Sequence, residues 1–420
     1  MNNVLVFPCG SEIGLEVNRA LADSLHFSVF GASSTDDHGK YAYRQYIPGL
    51  PFIDAPNFIG EINKIVEQYQ IDFIIPAHDA AVLRMAECQA EIKAEVVGSC
   101  LETCRICRSK SKTYELFEKL IPTPKLYRET AAIDFPAFLK PDVGQGSKGA
   151  YKVNTGEEAA FYCKQDPTVL VMEFLPGREF TIDCFTDRKR SLLFAAGRER
   201  SRIANGISVH SQPAQDERFG KMAELINKTL LFRGAWFFQV KERSDGELVL
   251  MEIAPRVAGT MALFRADGVN FVQLSLFDRM GLNVSVLSNQ LDLEIDRALF
   301  SRFSINRAYS CVYVDFDDTI IVNQLVNANL MKFLYQSRNT KKKIILLTKH
   351  RQNIEASLDR YAISRALFDE IIVVDATKQK SDYIYNLDSV FIDDSFAERK
   401  AVLDQCRIPV FALDAVEALF

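Results

Sequence analysis

Two stretches of this 420-residue chain place carboxylate, amide and basic side chains at spacings that suit metal and phosphate chemistry. In Trp236 to Thr260, Asp245-Gly246 separates two apolar runs. Asp-Gly favours a two-residue hairpin turn in which both central residues have φ > 0. A turn closing there sets Ser244 against Glu247 and, counting outward, Gln239 against Glu252 on the same face of the ribbon. Their Cβ atoms would lie roughly 5 Å apart, close enough for both oxygens to hold one hard cation such as Mg²⁺. In the second stretch, Asp315-Phe316-Asp317-Asp318-Thr319 ends an apolar run. Carboxylates two residues apart at a strand end can divide labour, one as nucleophile toward phosphorus and the other as acid/base. Downstream, Lys380 offers an ammonium against developing charge, and Asp393-Asp394 adds oxygens for a cation.

Other residues are weaker signals. An apolar run delivers Lys140, followed by Gly144, Gly146, Ser147 and Gly149. Glycines let backbone N–H groups close on phosphate oxygens and a lysine adds a point charge, although such a segment is as readily a plain turn. Glu173 and Glu179 flank a turn at Pro176-Gly177. Cys9 to Gly14 sits where a strand turns into a helix, a place that suits anions, but it is not GxGxxG. Asp79, in His78-Asp79, reads first as a helix cap and second as a substrate contact. Cys100, Cys104 and Cys107 have a spacing that could hold an iron–sulfur cluster. The same spacing lays them on one helix face, and cysteine packs as a small hydrophobe, the reading we prefer.

The elements that must position these residues follow from periodicity. Residues 1–108 alternate short apolar runs with helical patterns, as a parallel α/β unit does. A boundary falls near Ser109, before the helix KTYELFEKL. Residues 192–212 contain NGISVHSQ, expected as a polar loop, and KMAELINKTLLFRG is an amphipathic helix leading into the Trp236 hairpin. After a less structured connection around 282–308, four apolar runs end at Asp315, Thr348, Asp375 and Asp393. Such runs are expected of a buried parallel sheet, which binds ligands outside the carboxyl ends of its strands.

Hydrophobic content of 48%, charged content of 25% and a net charge of −5 describe an ordinary globular protein. Interleaved charges give no reason to expect nucleic acid or an anionic membrane. The N-terminus lacks a signal-peptide pattern, and no apolar run approaches the roughly 20 residues that span a bilayer. A cytoplasmic protein is expected, with its nine cysteines reduced.

Taken in order, Lys112, Lys140 with its glycine-rich loop, Glu173-Phe174-Leu175, Glu179, Gln239, Glu252 and Arg256 resemble the ATP-grasp superfamily. The resemblance spans about residues 1–285 and is closest to the branch similar to carbamoyl-phosphate synthetase large subunits and carboxylate–amine ligases. It implies an α/β and α+β chain: a pre-ATP-grasp parallel α/β domain over 1–108, then a two-lobed ATP-grasp domain over 109–300. It further implies that Lys112, Lys140, Gly146 and Ser147 contact phosphates. The Glu173 to Leu175 backbone would meet adenine and Glu179 the ribose. Gln239 and Glu252 would hold Mg²⁺, with Arg256 on the phosphoryl group. The sequence departs from the family's E-x-N-P-R at Ala254, which stands where Asn is usual, so one metal ligand is missing.

The motifs DFDDT, a strand ending in Thr348, Lys380 and FIDDS resemble the haloacid-dehalogenase (HAD) phosphohydrolases over about 310–400. The resemblance implies a Rossmann-like domain over 308–420, with Asp315 as nucleophile and Asp317 as acid. Thr348 and Lys380 would bind the phosphoryl group, Lys378 being a rival for the latter role. Asp315, Asp393 and the Asp317 carbonyl would hold Mg²⁺. The short interval after Thr319 leaves no room for a large cap. Together the resemblances imply a bifunctional enzyme: an ATP-dependent carboxylate–amine ligase, using Mg²⁺ or Mn²⁺, fused to a phosphatase for the same or a pathway-linked phosphorylated substrate. The expected partners are a small carboxylate and an amine, and a homo-oligomer is compatible with the sequence. The alternatives are a kinase or carbamoyl-phosphate type of ATP-grasp enzyme, or a nucleotide-sensing module that regulates the phosphatase.

Overall fold

Val4, Leu5, Val6 and Phe7 are all buried because alternate side chains feed different cores, Val4 and Val6 on one face of strand β1 (Asn2–Phe7), Leu5 and Phe7 on the other. A strand covered on both faces can be apolar throughout. The computed structural model describes every residue except Thr130, Ala131, Gln145, Ser147 and Asn205, and divides into the units Met1–Leu299 and Phe300–Phe420. With β2 (Phe27–Ala32), β3 (Gln45–Ile47), β4 (Phe73–Pro76) and β5 (Glu95–Val96), β1 makes a five-stranded parallel sheet in the order β3-β2-β1-β4-β5. The helix Glu12–Leu21 starts where Ser11 Oγ accepts from Gly14 N–H at 2.9 Å, so the chain after Cys9 does turn from strand into helix.

A three-stranded antiparallel sheet follows, β6 (Ala137–Pro141), β7 (Tyr151–Val153) and β8 (Val169–Glu173), in the order β7-β6-β8. Leu139 and Val153 bury against Ala159 of the helix Gly156–Gln165. The larger sheet is built from β9 (Glu179–Thr186), β10 (Leu192–Ala204), β11 (Ile207–Ala214), β12 (Gly234–Glu242), β13 (Leu248–Ala254) and β14 (Ile295–Asp296), in the order β13-β12-β9-β10-β11-β14. Residues 192–212, expected as a polar loop, are instead the long hairpin β10–β11. Its charged run Arg198 to Arg202 lies within β10, where Arg198, Glu199, Arg200 and Arg202 each have an ion-pair partner, so a polar sequence still makes a strand.

On β12 the alternation sets up the site. Trp236, Phe238 and Val240 pack toward the helix Glu217–Thr229, while Ala235 and Phe237 join the core shared with β1. Gln239 and Lys241 continue the second row beyond the point where that core ends.

The β12–β13 hairpin reaches the expected pairing by an unexpected route. Gly246 N–H donates to Arg243 C=O at 3.0 Å, and of Asp245 and Gly246 only Gly246 has positive φ, +85°. Arg243 N–H donates to Glu247 C=O at 2.9 Å, so the loop has three residues, not two, and Glu247 faces Arg243 rather than Ser244. That one-residue slip carries on through Glu242–Leu248 to Val240–Leu250. Met251 is then an extra residue, a β-bulge, which restores the register and places Gln239 opposite Glu252.

The second unit has β15 (Cys311–Val314), a short antiparallel pair β16 (Ile321–Val322) and β17 (Leu325–Val326), then β18 (Lys343–Thr348), β19 (Glu370–Val373), β20 (Ser389–Ile392) and β21 (Val410–Phe411). The five long-range partners form a parallel sheet in the order β19-β18-β15-β20-β21. The four apolar runs of the sequence are β15, β18, β19 and β20, with β15 central and buried on both faces. Between Thr319 and β18 lie only the β16–β17 pair and the helix Ala328–Asn339. Among the described residues no helix is long and apolar enough to cross a membrane.

Candidate functional site

In the first unit, Phe138 and Lys140 of β6 and Met172 of β8 line a cavity of about 170 Å³ together with Gln239, Lys241 and Glu252 of β12 and β13. The bulge turns both Met251 and Glu252 into this cavity. Glu173, Phe174 and Leu175 form another wall. The Glu173 carboxylate is clamped by Arg243, Nη2 at 2.6 Å and Nε at 3.0 Å, and accepts from Lys125 N–H at 2.8 Å, which fixes the backbone where β8 ends. Gly146 lines the same space, whereas Ser147 lies outside the described residues.

Of the four lysines that line the cavity, Lys110, Lys140, Lys148 and Lys241, two are buried. Lys140 Nζ donates to Met251 C=O at 3.2 Å, the carbonyl that also accepts from Tyr114 OH at 2.7 Å. Burial pushes the Lys140 ammonium down from 10.5 to about 7, although the Glu252 charge opposes it. The second buried one is Lys110, whose pKa burial likewise lowers, again against Glu252. Lys112, expected at the phosphates, is exposed and lies off the cavity. The helix Lys110–Phe117 begins at the Ser109 cap, and residues two apart on a helix point roughly 200° apart. Lys110 therefore takes the inward position.

Nothing in the sequence singled out Arg200. Its Nη1 donates to Glu179 Oε1 at 2.5 Å and to Gln239 Oε1 at 2.9 Å, and Nη2 donates to Gly206 C=O at 3.1 Å. Glu179 is thus engaged by a guanidinium. Arg198 and Arg202, two residues away on either side, pair with Asp183 and Asp296, so sequence pattern alone could not distinguish the three. Among the described residues, every other carboxylate lining the site has a basic partner. Glu12 pairs with Arg297, Asp79 with Arg256, Glu173 with Arg243 and Glu179 with Arg200, leaving Glu252 as the one without an ion pair. Glu252 fits a divalent cation, with the remaining lone pair of Gln239 Oε1 beside it. Ala254, opposite Phe237, offers no donor.

A second cavity of about 290 Å³ shares Lys110, Gly146, Arg200, Gln239 and Glu252 with the first and adds Ser11, Glu12, His78, Asp79, Ala254 and Arg256. The strand ends after Cys9 and Pro76 therefore reach the same site. His78, not Asp79, caps the helix Asp79–Glu87, its Nδ1 accepting from Ala80 N–H at 3.4 Å. The Asp79 carboxylate holds Arg256 instead. Burial alone would raise its pKa, but the guanidinium outweighs that and keeps it below the usual carboxylate value. Arg256 also lies over the Phe237 ring, 5.1 Å from the centroid. Cys104 and Cys107 line this cavity and Cys100 is exposed; the three do not form a metal-holding group.

In the second unit Asp315 follows β15, Thr348 ends β18 and Asp393 follows β20, all buried. Lys380 Nζ lies 2.6 Å from both Asp315 Oδ1 and Asp393 Oδ2. It is buried, while Lys378 is exposed. Asp315 Oδ1 is buried and, despite that proximity, makes no aligned hydrogen bond. One oxygen each from Asp315, Asp393 and Asp394 lie within 4.8 Å of one another, the one group of three or more His, Cys, Asp or Glu residues among those described that could hold a metal ion. Burial raises the Asp315 pKa, with Lys380 and the Thr348 hydroxyl opposing. Asp317 is exposed, and both its oxygens lie 2.9 Å from Nδ1 of His350, a neighbour the motifs did not indicate.

Residues 165–296 match the model of a family described as ATP-grasp in the biosynthetic pathway with Ter operon. No curated protein sequence matches the chain. One similar solved structure is the biotin carboxylase domain dimer of 2-oxoglutarate carboxylase from Hydrogenobacter thermophilus, in complex with MgADP, ADP and bicarbonate; TM-score 0.57, 15% identity, covering 69% of this chain and 72% of that one. Another is carboxyaminoimidazole ribonucleotide synthase from Aspergillus clavatus complexed with ATP, TM-score 0.56, 16% identity, covering 70% and 80%. L-amino acid ligase from Bacillus licheniformis gives TM-score 0.54 and 18% identity, covering 66% and 73%. At these identities the likeness is one of fold, and the chain carries an ATP-grasp fold.

Proposed function

We propose that the first unit binds ATP with Mg²⁺ and joins a small carboxylate to an amine through an acyl phosphate. The observation that carries this is Glu252, the lining carboxylate without an ion pair, facing Lys110 and Lys140 in a cavity walled by Glu173 to Leu175. In this reading Glu252 and Gln239 hold the cation, and Lys110, Lys140 and Gly146 meet the phosphates. The adenine lies along Glu173 to Leu175 with Glu179 near the ribose, and Arg256 faces the phosphoryl group or acyl phosphate. Bound Mg²⁺ would offset triphosphate charge as a Lewis acid. The lysines would do the same electrostatically, while a water-poor cleft protects the acyl phosphate from hydrolysis. The likeness to an L-amino acid ligase and to an ATP-bound carboxyaminoimidazole ribonucleotide synthase supports the ligase class. Residues 1–108 would select the substrate and 109–300 would form the grasp, the second cavity lying where both contribute residues.

The buried Asp315–Lys380–Asp393 cluster supports a second activity, HAD-type hydrolysis of a phosphate ester by residues 308–420. Asp315 would attack phosphorus, Asp317 would protonate the leaving group, and Thr348 and Lys380 would bind the phosphoryl oxygens. Asp315, Asp393 and the Asp317 carbonyl would hold Mg²⁺.

One pair of variants tests both. Glu252→Ala should abolish carboxylate-stimulated ADP release and leave phosphate-ester hydrolysis intact, and Asp315→Asn should do the reverse. ATP turnover at the normal rate in Glu252→Ala would sink the metal assignment. A panel of carboxylates and amino acids identifies the substrate, and a new amide rather than a stable phosphate ester separates a ligase from a kinase. ATP binding without substrate-stimulated hydrolysis would favour the sensing alternative.

A further inference from the structure

We propose that the cleft of the first unit takes one divalent cation, on Glu252, and that the Arg200 guanidinium supplies, toward a bound triphosphate, the positive charge a second cation would otherwise bring. The inference rests on the nucleotide reading above and assigns Arg200 as a phosphate-binding residue.

A second ion would need its own anionic ligands. Among the described residues every lining carboxylate but Glu252 already has a basic partner, and Ala254, which faces the same space, has no donor atom. Gln239 Oε1 has two lone pairs. One already accepts from Arg200 Nη1 at 2.9 Å, which leaves one for the ion on Glu252.

Arg200 engages oxygens of Glu179 and Gln239 that a second ion would need. Its side chain is only 8% exposed and is anchored on three oxygens, from Glu179, Gln239 and Gly206. Among the described residues its Nε–H is buried without a partner, so the group keeps an unused donor. A guanidinium stays charged at any working pH and presents a planar fork that matches phosphate oxygens. Gln239, which accepts from Arg200, lies opposite Glu252 in the hairpin register, and all three line the same cavity. A further divalent ion there would be repelled by a fixed positive charge in a low-dielectric cleft. The carboxylate of Glu179 therefore acts on Arg200, holding it in line, rather than on a metal.

The test counts ions. The full-length protein is titrated with Mn²⁺ and followed by electron paramagnetic resonance, with and without saturating β,γ-methylene-ATP. The difference removes ions bound at Asp315, Asp393 and Asp394. One analogue-dependent Mn²⁺ per chain is expected, and two would overturn the proposal while leaving nucleotide binding standing. Arg200→Met should weaken β,γ-methylene-ATP binding about tenfold, the scale of a lost hydrogen bond to a charged group. ADP should be affected less, and Arg200→Lys, which keeps the charge, should lose less than Arg200→Met. Unchanged analogue affinity in a folded Arg200→Met protein would also overturn it, and the wild-type ion count decides the matter if that variant does not fold. A wild-type protein that binds no analogue at all would overturn the nucleotide reading and this proposal with it.

Discussion

Asp79 and Arg256, 177 positions apart, meet in a two-pronged ion pair, Nε to Oδ1 at 2.6 Å and Nη2 to Oδ2 at 2.8 Å. The contact ties the carboxyl end of the first sheet to the residue just past the β12–β13 hairpin. Asp79→Ala leaves a mostly buried guanidinium unpaired, which costs about 3 kcal/mol. Urea denaturation should show that loss of stability. The proposed ATP-dependent turnover should fall as well, because Arg256 is no longer held over Phe237.

Trp236 is the only tryptophan of the chain, fully buried and stacked on Phe232 with ring centroids 4.1 Å apart. Its Nε1–H donates to Thr186 Oγ1 at 2.8 Å, and Thr186 in turn donates to Asn227 at 2.7 Å. Thr186→Val strands the indole N–H and the Asn227 oxygen. Tryptophan fluorescence, which reports the first unit alone, should show unfolding at lower urea by about 1–3 kcal/mol. Asp315→Asn should leave that transition where it is.

Lys140 gives the first unit a pH dependence. Burial lowers its pKa from 10.5 to about 7, so between those values the unfolded chain holds a proton the folded one lacks. Stability from this group therefore rises with pH across that window. A triphosphate favours the charged amine, so binding above about pH 7 must take up a proton and weakens as pH rises. Calorimetry at about pH 8 in buffers of different ionisation enthalpy should give an uptake approaching about one proton, absent in Lys140→Met.

Asp393 acts in the opposite sense. Burial, opposed by Lys380 and reinforced by Asp315, raises its pKa from 3.8 to about 6. Between those values the folded chain holds a proton the unfolded one does not, so this group's contribution falls as pH rises and is lost above about 6. A cation on the same carboxylate must displace that proton. The Tm increase produced by Mg²⁺ should be larger at about pH 7.5 than at about pH 5, and Asp393→Asn should remove the difference.

Much of the fold is legible in the sequence because burial on both faces leaves a simple mark. Unbroken apolar runs ending in polar residues announce the strands that carry Asp315, Thr348 and Asp393, and these do converge at one edge. Residues 192–212 look like a loop in sequence because the charges of Arg198 to Arg202 are neutralised only by partners distant in the chain or on neighbouring strands. Lys110 and Lys112 are equivalent in composition and opposite in direction, and only the Ser109 cap settles which one turns inward. The pairing of Gln239 with Glu252 was reached from a turn that does not form, because the three-residue loop and the Met251 bulge shift the register in opposite senses and cancel.

By itself the sequence determined which residues are acidic, basic or apolar, and the local periods that make strands and helices of them. That sufficed for the carboxylates at the strand ends, whereas the Gln239–Glu252 pairing also depends on the three-residue loop and the Met251 bulge. Only the tertiary structure decided which charges are already spent on one another. Asp79 on Arg256, Arg200 on Glu179 and Lys380 between Asp315 and Asp393 join positions far apart in the chain. Such pairings depend on how sheets stack and where cores end, which no local spacing encodes, and they are what leave Glu252 available.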